Sequence, residues 1–181
     1  RQESCSGSVN QRVMPTTLLG PAQWGPMVKV PTLGSRGQGW VWGQFALGAV
    51  VIVVSAVGPA WPWTWMRLVG LLLAVAGGVV GTWALFTLGD SLTPYPKPRQ
   101  RGSLVDRGPY AVVRHPIYSA LLLAMLGICL TGSPWGLAPL ALLVGWWLAK
   151  ASVEEDFLRQ RYPGYGDYCR RVRFRLIPFV V

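Results

Sequence analysis

Acidic side chains are scarce in this chain: 7 Asp and Glu stand against 17 Lys and Arg among 181 residues. Charged residues of both signs make up only 13% of the composition, too few for the solvated surface of an ordinary soluble domain. Histidine occurs once, at His115. The cysteines, Cys5, Cys129 and Cys169, stand far apart with no CxxC pair. Neither a disulfide framework nor a zinc site is therefore expected, and no metal is called for. The length has room for one ordinary domain.

Apolar residues, 51% of the chain, fill the space that charge leaves. Trp40 to Val57 and Leu68 to Leu88 are uncharged. At about 1.5 Å per helical residue, each crosses most of a bilayer core about 30 Å thick. A third uncharged stretch, Ile117 to Ala149, is too long for one straight span, and T-G-S-P-W-G from Thr131 to Gly136 breaks it. It reads as a helical hairpin with arms from about Ile117 to Leu130 and Trp135 to Ala149, both short enough that the helices should continue into their polar flanks or the bilayer should thin. The fold expected is all-α, an integral membrane bundle of about four transmembrane helices with a cytoplasmic C-terminal helical segment. Gly77, Gly78 and Gly81 suit close helix approach. The Trp clusters at Trp40 and Trp42, at Trp61, Trp63 and Trp65, and at Trp146 and Trp147 read as an aromatic belt.

Residues 1 to 39 read as a polar Gly/Pro/Ser-containing tail without the sustained apolar core of a signal peptide. Residues 40 to 90 hold two spans, and 91 to 181 hold the part where chemistry concentrates. The formal net charge of +10 sits in the tail, after the second span and in the C-terminal segment. Four alternating spans put all three basic segments on one face, which the positive-inside rule makes cytoplasmic. Juxtamembrane basicity thus accounts for the charge, and no nucleic-acid partner is expected. Membrane lipids are expected partners. The oligomeric state is not legible. The usage of Ala, Gly, Arg and Trp is bacterial in character, which points to an inner membrane.

Two polar segments flank the hairpin. The first runs from Leu92 to Tyr118 and is rich in Pro and Gly, so its beginning is extended or turned. Pro116 suits the first position of a helix. Arg114 and His115 then sit at the mouth of the third span beside backbone N–H groups that favour an anion. The second segment continues the fourth span and stops near Pro163 and Gly164. At about 100° per residue, Lys150, Glu154, Phe157 and Arg161 share a face from which Glu155 points away. Ion pairing with nearby Lys and Arg accounts for Glu155 and Asp156. Glu154 is less simply explained, held as it is against the membrane face where a ligand would lie.

The elements L-V-x-x-G-P-Y (Leu104 to Tyr110), R-H-P-x-Y (Arg114 to Tyr118), the pair Glu154 and Glu155 with Leu158, and Y-P-G-Y-x-x-Y-x-x-x-V (Tyr162 to Val172) occur in that order around the hairpin. In this the segment from Leu104 to Ile177 resembles the catalytic core of the isoprenylcysteine carboxyl methyltransferase family, which belongs with the membrane phospholipid methyltransferases. The resemblance implies S-adenosylmethionine as cofactor, in a non-Rossmann pocket between the hairpin and the C-terminal segment. It implies cofactor contacts at Gly102, Ser103, Leu104, Val105, Tyr110, His115, Pro116, Ile117, Tyr118 and Glu154, with Lys150 and Glu154 as the catalytic pair. Lys150 stands where many relatives have an Arg linked to the acceptor, and Ala120 where the family usually has Gly, a change expected to narrow the pocket. The function implied is methylation of a lipophilic acceptor, in the first place a carboxylate. Methylation of a phospholipid amine or a small thiol, or a non-catalytic membrane scaffold, are the alternatives.

Sidedness is directly testable. Cysteine-accessibility labelling in intact cells should find Pro94 to Arg114 protected and the hairpin tip at Gly132 to Gly136 reactive. Labelling of Ser133→Cys only after permeabilisation would sink the four-span arrangement.

Overall fold

The computed structural model describes residues 33–34, 37–99 and 102–178. The polar tail expected over 1 to 39, Cys5 within it, and Arg101 lie largely or wholly outside the described residues. Among the described residues the protein is all-helical: α1 Gln38–Val57, α2 Trp65–Leu88, α3 Pro116–Thr131, α4 Leu137–Arg161 and α5 Tyr165–Arg171. Three of these, α1, α2 and the helix that includes α4, are long and apolar enough to cross a membrane. The protein is an integral membrane protein. At 16 residues α3 spans only about 24 Å, short of a full bilayer core. The expected extension into polar flanks therefore holds for α4, which runs on to Arg161, and not for α3, which Pro116 and Gly132 bound closely.

The helices pair unevenly, and small residues decide how. A β-carbon at Gly77 would lie 2.6 Å from the Ala120 carbonyl oxygen, and one at Gly127 would lie 2.5 Å from that of Gly70. Gly70 and Gly77, seven residues apart on α2, meet Gly127, Ala120 and Ala124 of α3 backbone to backbone, and Ala84, seven residues further on, is buried too. Hence α3 packs most closely on α2 and not, as the hairpin reading implied, on α4. Gly78, by contrast, faces away from any neighbour. Ala120 is committed to this contact, so the narrowing of the pocket expected of its methyl group does not arise.

The second tight pair is α1 with α4. Gly43 leaves room for the Trp146 indole, which lies 4.6 Å from the Trp40 ring centre and donates its N–H to the Trp40 carbonyl at 3.0 Å. Trp147 is buried in the core with Val51, Leu140 and Leu143, and Trp61 donates to the Cys129 carbonyl. These four tryptophans depart from the aromatic-belt reading because they fill the bundle or tie it together. Trp42, Trp63 and Trp65 are exposed, as a belt requires.

Beyond α4 the chain turns at Pro163 into α5, whose Tyr165 and Tyr168 pack with Val172, Leu104 and Leu158. An extended strap follows. Its Phe174 and Arg175 carbonyls accept the backbone N–H groups of Arg114 and His115 at 2.9 Å each, and its Leu176 carbonyl accepts the Ser119 hydroxyl.

Ser133 is completely buried, so Trp135, which is 65% exposed, is the better hairpin position for cysteine labelling. For packing, Gly77→Ala should cost about 1–3 kcal/mol of overpacking in detergent thermal melts. Gly78→Ala should be neutral or slightly stabilising through helix propensity. A Gly77→Ala protein that melts at or above the wild type would remove the close-contact argument.

Candidate functional site

The two helix pairs leave a cavity of about 360 Å³ at the polar end of the bundle. Leu85 and Leu88 at the end of α2, Ile117 and Leu121 on α3, and Leu104 and Leu158 give it apolar walls. Its polar groups come from several elements. A left-handed turn at Gly108, φ 60°, starts a short 3-10 helix, Gly108–Ala111, that carries Tyr110. Tyr168 fixes that turn by donating to the Tyr110 carbonyl at 2.8 Å. His115 precedes Pro116 and caps α3, Tyr118 lies in its first turn, and α4 contributes Lys150 and Glu154 one turn apart.

These side chains contact one another. The Tyr118 hydroxyl donates to Glu154 Oε1 at 2.5 Å, and His115 Nδ1 lies 3.5 Å from Glu154 Oε2. The His115 and Tyr118 rings stack 5.5 Å apart. Lys150 is buried and donates to Gln44 Oε1 at 2.9 Å and to the Pro94 carbonyl at 3.1 Å; its Nζ is 3.8 Å from Glu154 Oε1 and lies over the Tyr118 ring. Burial, and after it the Glu154 carboxylate, push the Tyr110 phenol well above its ordinary range, so it stays a neutral donor.

Glu155 occupies a separate place. Fully buried, its Oε1 accepts from Arg114 Nε at 2.9 Å with His115 Nε2 at 3.4 Å, and its Oε2 accepts from Arg159 at 3.1 Å and Arg175 at 3.2 Å. Arg114 also donates to the carbonyls of Val172 and Arg173. Glu155 thus binds α4, the turn before α3 and the C-terminal strap into one knot. His115 lies between the two carboxylates, one on each ring nitrogen.

Ser103, Leu104, Val105, Tyr110, His115, Ile117, Tyr118, Lys150 and Glu154, all named from the sequence, line the cavity together. Gly102 and Pro116 do not: the Gly102 carbonyl accepts the Tyr162 hydroxyl at 2.8 Å, and Pro116 is buried where α3 begins. Four of the backbone N–H groups around this helix start, where an anion was expected, are engaged otherwise. Those of Arg114 and His115 go to the strap, and those of Tyr118 and Ser119 to the His115 carbonyl. Sequence reasoning missed Gln44, Leu85, Leu88 and Ser91, whose hydroxyl joins the loop ends by bonding both N–H and C=O of Ser103 at 3.0 Å. Gln44 carried a usable signal, since it is an amide inside an apolar span.

Apolar helices with a charged, aromatic cavity at one end define a membrane protein with a ligand site at the boundary between lipid and water. Residues 65–164 match the family described as Phospholipid methyltransferase. The chain belongs to the phospholipid methyltransferase family, whose members are membrane methyltransferases. It is 35% identical over 114 residues to the cobalt-zinc-cadmium resistance protein CzcN of Cupriavidus metallidurans, covering 61% of this chain and 50% of that protein. It is 31% identical over 121 residues to protein-S-isoprenylcysteine O-methyltransferase B of Arabidopsis thaliana, covering 64% of this chain and 61% of that protein. The chain thus spans between half and two thirds of the length of these relatives.

Removing the Glu155 charge should damage the fold before it touches a ligand. Glu155→Gln leaves Arg114 and Arg175 without their shared counter-charge, a loss of about 3–5 kcal/mol, read as a marked fall in melting temperature. Glu154→Gln should melt close to wild type. Equal melting of both variants would show that the knot carries little stability.

Proposed function

We propose that this protein is an S-adenosylmethionine-dependent methyltransferase that methylates a lipophilic acceptor on a carboxylate, as in isoprenylcysteine carboxyl methylation, with its site and both termini on the cytoplasmic side. The observation that carries the reading is that an anionic group, Glu154, and a cationic group, Lys150, line one cavity whose remaining walls are mostly aliphatic and aromatic. The cofactor fits the residues present. It joins a flat adenine, hydroxyl groups, an ammonium and a carboxylate to a sulfonium, and the cavity supplies aromatic faces, a carboxylate, an imidazole and phenol donors. Glu154 would hold amino or hydroxyl groups, His115 the carboxylate, and Tyr110 and Tyr118 the ring or the cation. The aliphatic walls suit the apolar part of an acceptor.

When bound, the cofactor supplies an electrophilic methyl group. A carboxylate oxygen forms the new O–CH₃ bond as the S–CH₃ bond breaks, the electron pair stays on sulfur, and no proton moves. No general base is needed, because a carboxylate is already ionised at neutral pH. The protein's task is to align the two partners and keep water out, which a mostly apolar cavity at the membrane boundary favours. The second class of reading, a non-catalytic scaffold, would place no requirement on Glu154 or His115.

Glu154→Gln keeps size and helix propensity but removes a charge-assisted hydrogen bond worth about 1.5–3 kcal/mol, a loss of roughly ten- to hundredfold in affinity. Calorimetric titration of S-adenosylhomocysteine into purified protein should show that loss for Glu154→Gln and a similar one for His115→Ala, with transfer of labelled methyl groups to lipid extracts falling in parallel. Unchanged affinity in both variants would remove the proposed site.

A further inference from the structure

The cavity receives one polar side chain from α1, which lies outside residues 65–164, the part that matches the family. Gln44 is that residue. Its amide oxygen is 2.9 Å from Lys150 Nζ. An ammonium only donates, so the amide must present its oxygen to Lys150, and its NH₂ group is left on the other side of the same plane. That NH₂ makes no hydrogen bond to the described residues.

The partners of Lys150 divide its charge unusually. Its two short hydrogen bonds go to neutral oxygens, those of Gln44 and of the Pro94 carbonyl at 3.1 Å. The Glu154 oxygen near it stands off at 3.8 Å and is already held by Tyr118 at 2.5 Å. Neutral dipoles thus take the two short hydrogen bonds of the ammonium, and its one carboxylate partner, Glu154, stands farther off. Glu154 meanwhile is turned toward His115 and Tyr118, the cofactor side in the reading above. Leu85, Leu88 and Leu121 line the same cavity, offering hydrocarbon contact next to the cation.

We propose that Gln44 determines acceptor specificity: it positions Lys150 through a neutral amide, leaving Glu154 as the single carboxylate beside the cation, and adds an N–H donor, so that the pocket selects a lipophilic acceptor with an anionic head. This rests on the methyltransferase reading but adds a residue from α1 to it. An acid at position 44 would close a short ion pair with Lys150 and place a second negative charge against the acceptor.

The test uses the full chain in lipid nanodiscs, with saturating S-adenosylhomocysteine for acceptor binding and S-adenosylmethionine in its place for turnover. The probes are N-acetyl-S-farnesylcysteine as the acid and dioleoylphosphatidylethanolamine as the amine. In Gln44→Glu the dissociation constant of the acid, and its KM where turnover is followed, should rise about tenfold or more, with kcat moved less and S-adenosylhomocysteine affinity within about twofold of wild type. Gln44→Leu should show a smaller rise, because the charge survives but loses its positioning bond, and Gln44→Asn should recover part of it. Acid binding unchanged in Gln44→Glu, or a loss of S-adenosylhomocysteine affinity equal to that for the acid, overturns the role of Gln44 alone. Failure of the loaded wild type to bind the acid, or a wild type that methylates only the amine, overturns it together with the carboxylate acceptor, while S-adenosylmethionine-dependent methyl transfer stands. Failure of the wild type to bind S-adenosylhomocysteine at all removes both.

Discussion

An ionised carboxylate shut away from water costs several kcal/mol unless cations and donors surround it, and Glu155 is shut away completely. Its partners come from Arg114 just before α3, Arg159 one turn along α4, and Arg175 in the C-terminal strap. No single segment can satisfy this charge, so the knot forms only when all three have assembled. Satisfying it also sets the position of His115, because Arg114 and His115 give their backbone N–H groups to the same strap. The imidazole is thereby held against Glu154 and Tyr118. The cavity wall is thus built on a charge that itself faces away from the cavity.

The cavity exists because the helices pair unevenly. Glycine and alanine let α2 and α3 touch backbone to backbone, and Gly43 lets α1 take the Trp146 ring of α4. Between α3 and α4 the side chains are larger, among them Leu121, Leu122, Tyr118 and Trp147. These hold the two pairs apart, and at the polar end the space between them is left open to a ligand. In a lipid environment no hydrophobic force closes such a gap, since aliphatic walls are as well solvated by hydrocarbon as by one another. Close van der Waals contact and hydrogen bonds decide which helices touch.

Much of the site could be read from the chain because its residues lie at short sequence distances with a definite helical phase. Lys150 and Glu154 are one turn apart, so they share a face, and Glu155 is rotated by about 100° toward another. His115 and Tyr118 bracket the first turn of α3 for the same reason. Leu85 and Leu88, and the pairing of Gln44 with Lys150, were not legible: these residues are separated from α4 by long stretches of chain, and hydropathy alone carries no information about which face of a span turns inward. The engagement of the Arg114 and His115 backbone N–H groups, just before α3, was not legible for a related cause. Their partners are the carbonyls of residues 174 and 175, about sixty positions away and unremarkable in sequence.

Composition and the lengths of uncharged stretches by themselves determined that the protein is a helical bundle in a membrane, because burying backbone in hydrocarbon leaves the helix as the form in which a short apolar segment satisfies its own hydrogen bonds. The spacing of motif residues determined which side chains share a helical face. Tertiary structure alone decided that α3 leans on α2, that four tryptophans turn inward, that Glu155 gathers three arginines and that Gln44 meets Lys150. The physical reason is that these depend on contacts between residues far apart in the chain, and whether such contacts form is set by the shapes of the surfaces that meet, which no local pattern encodes.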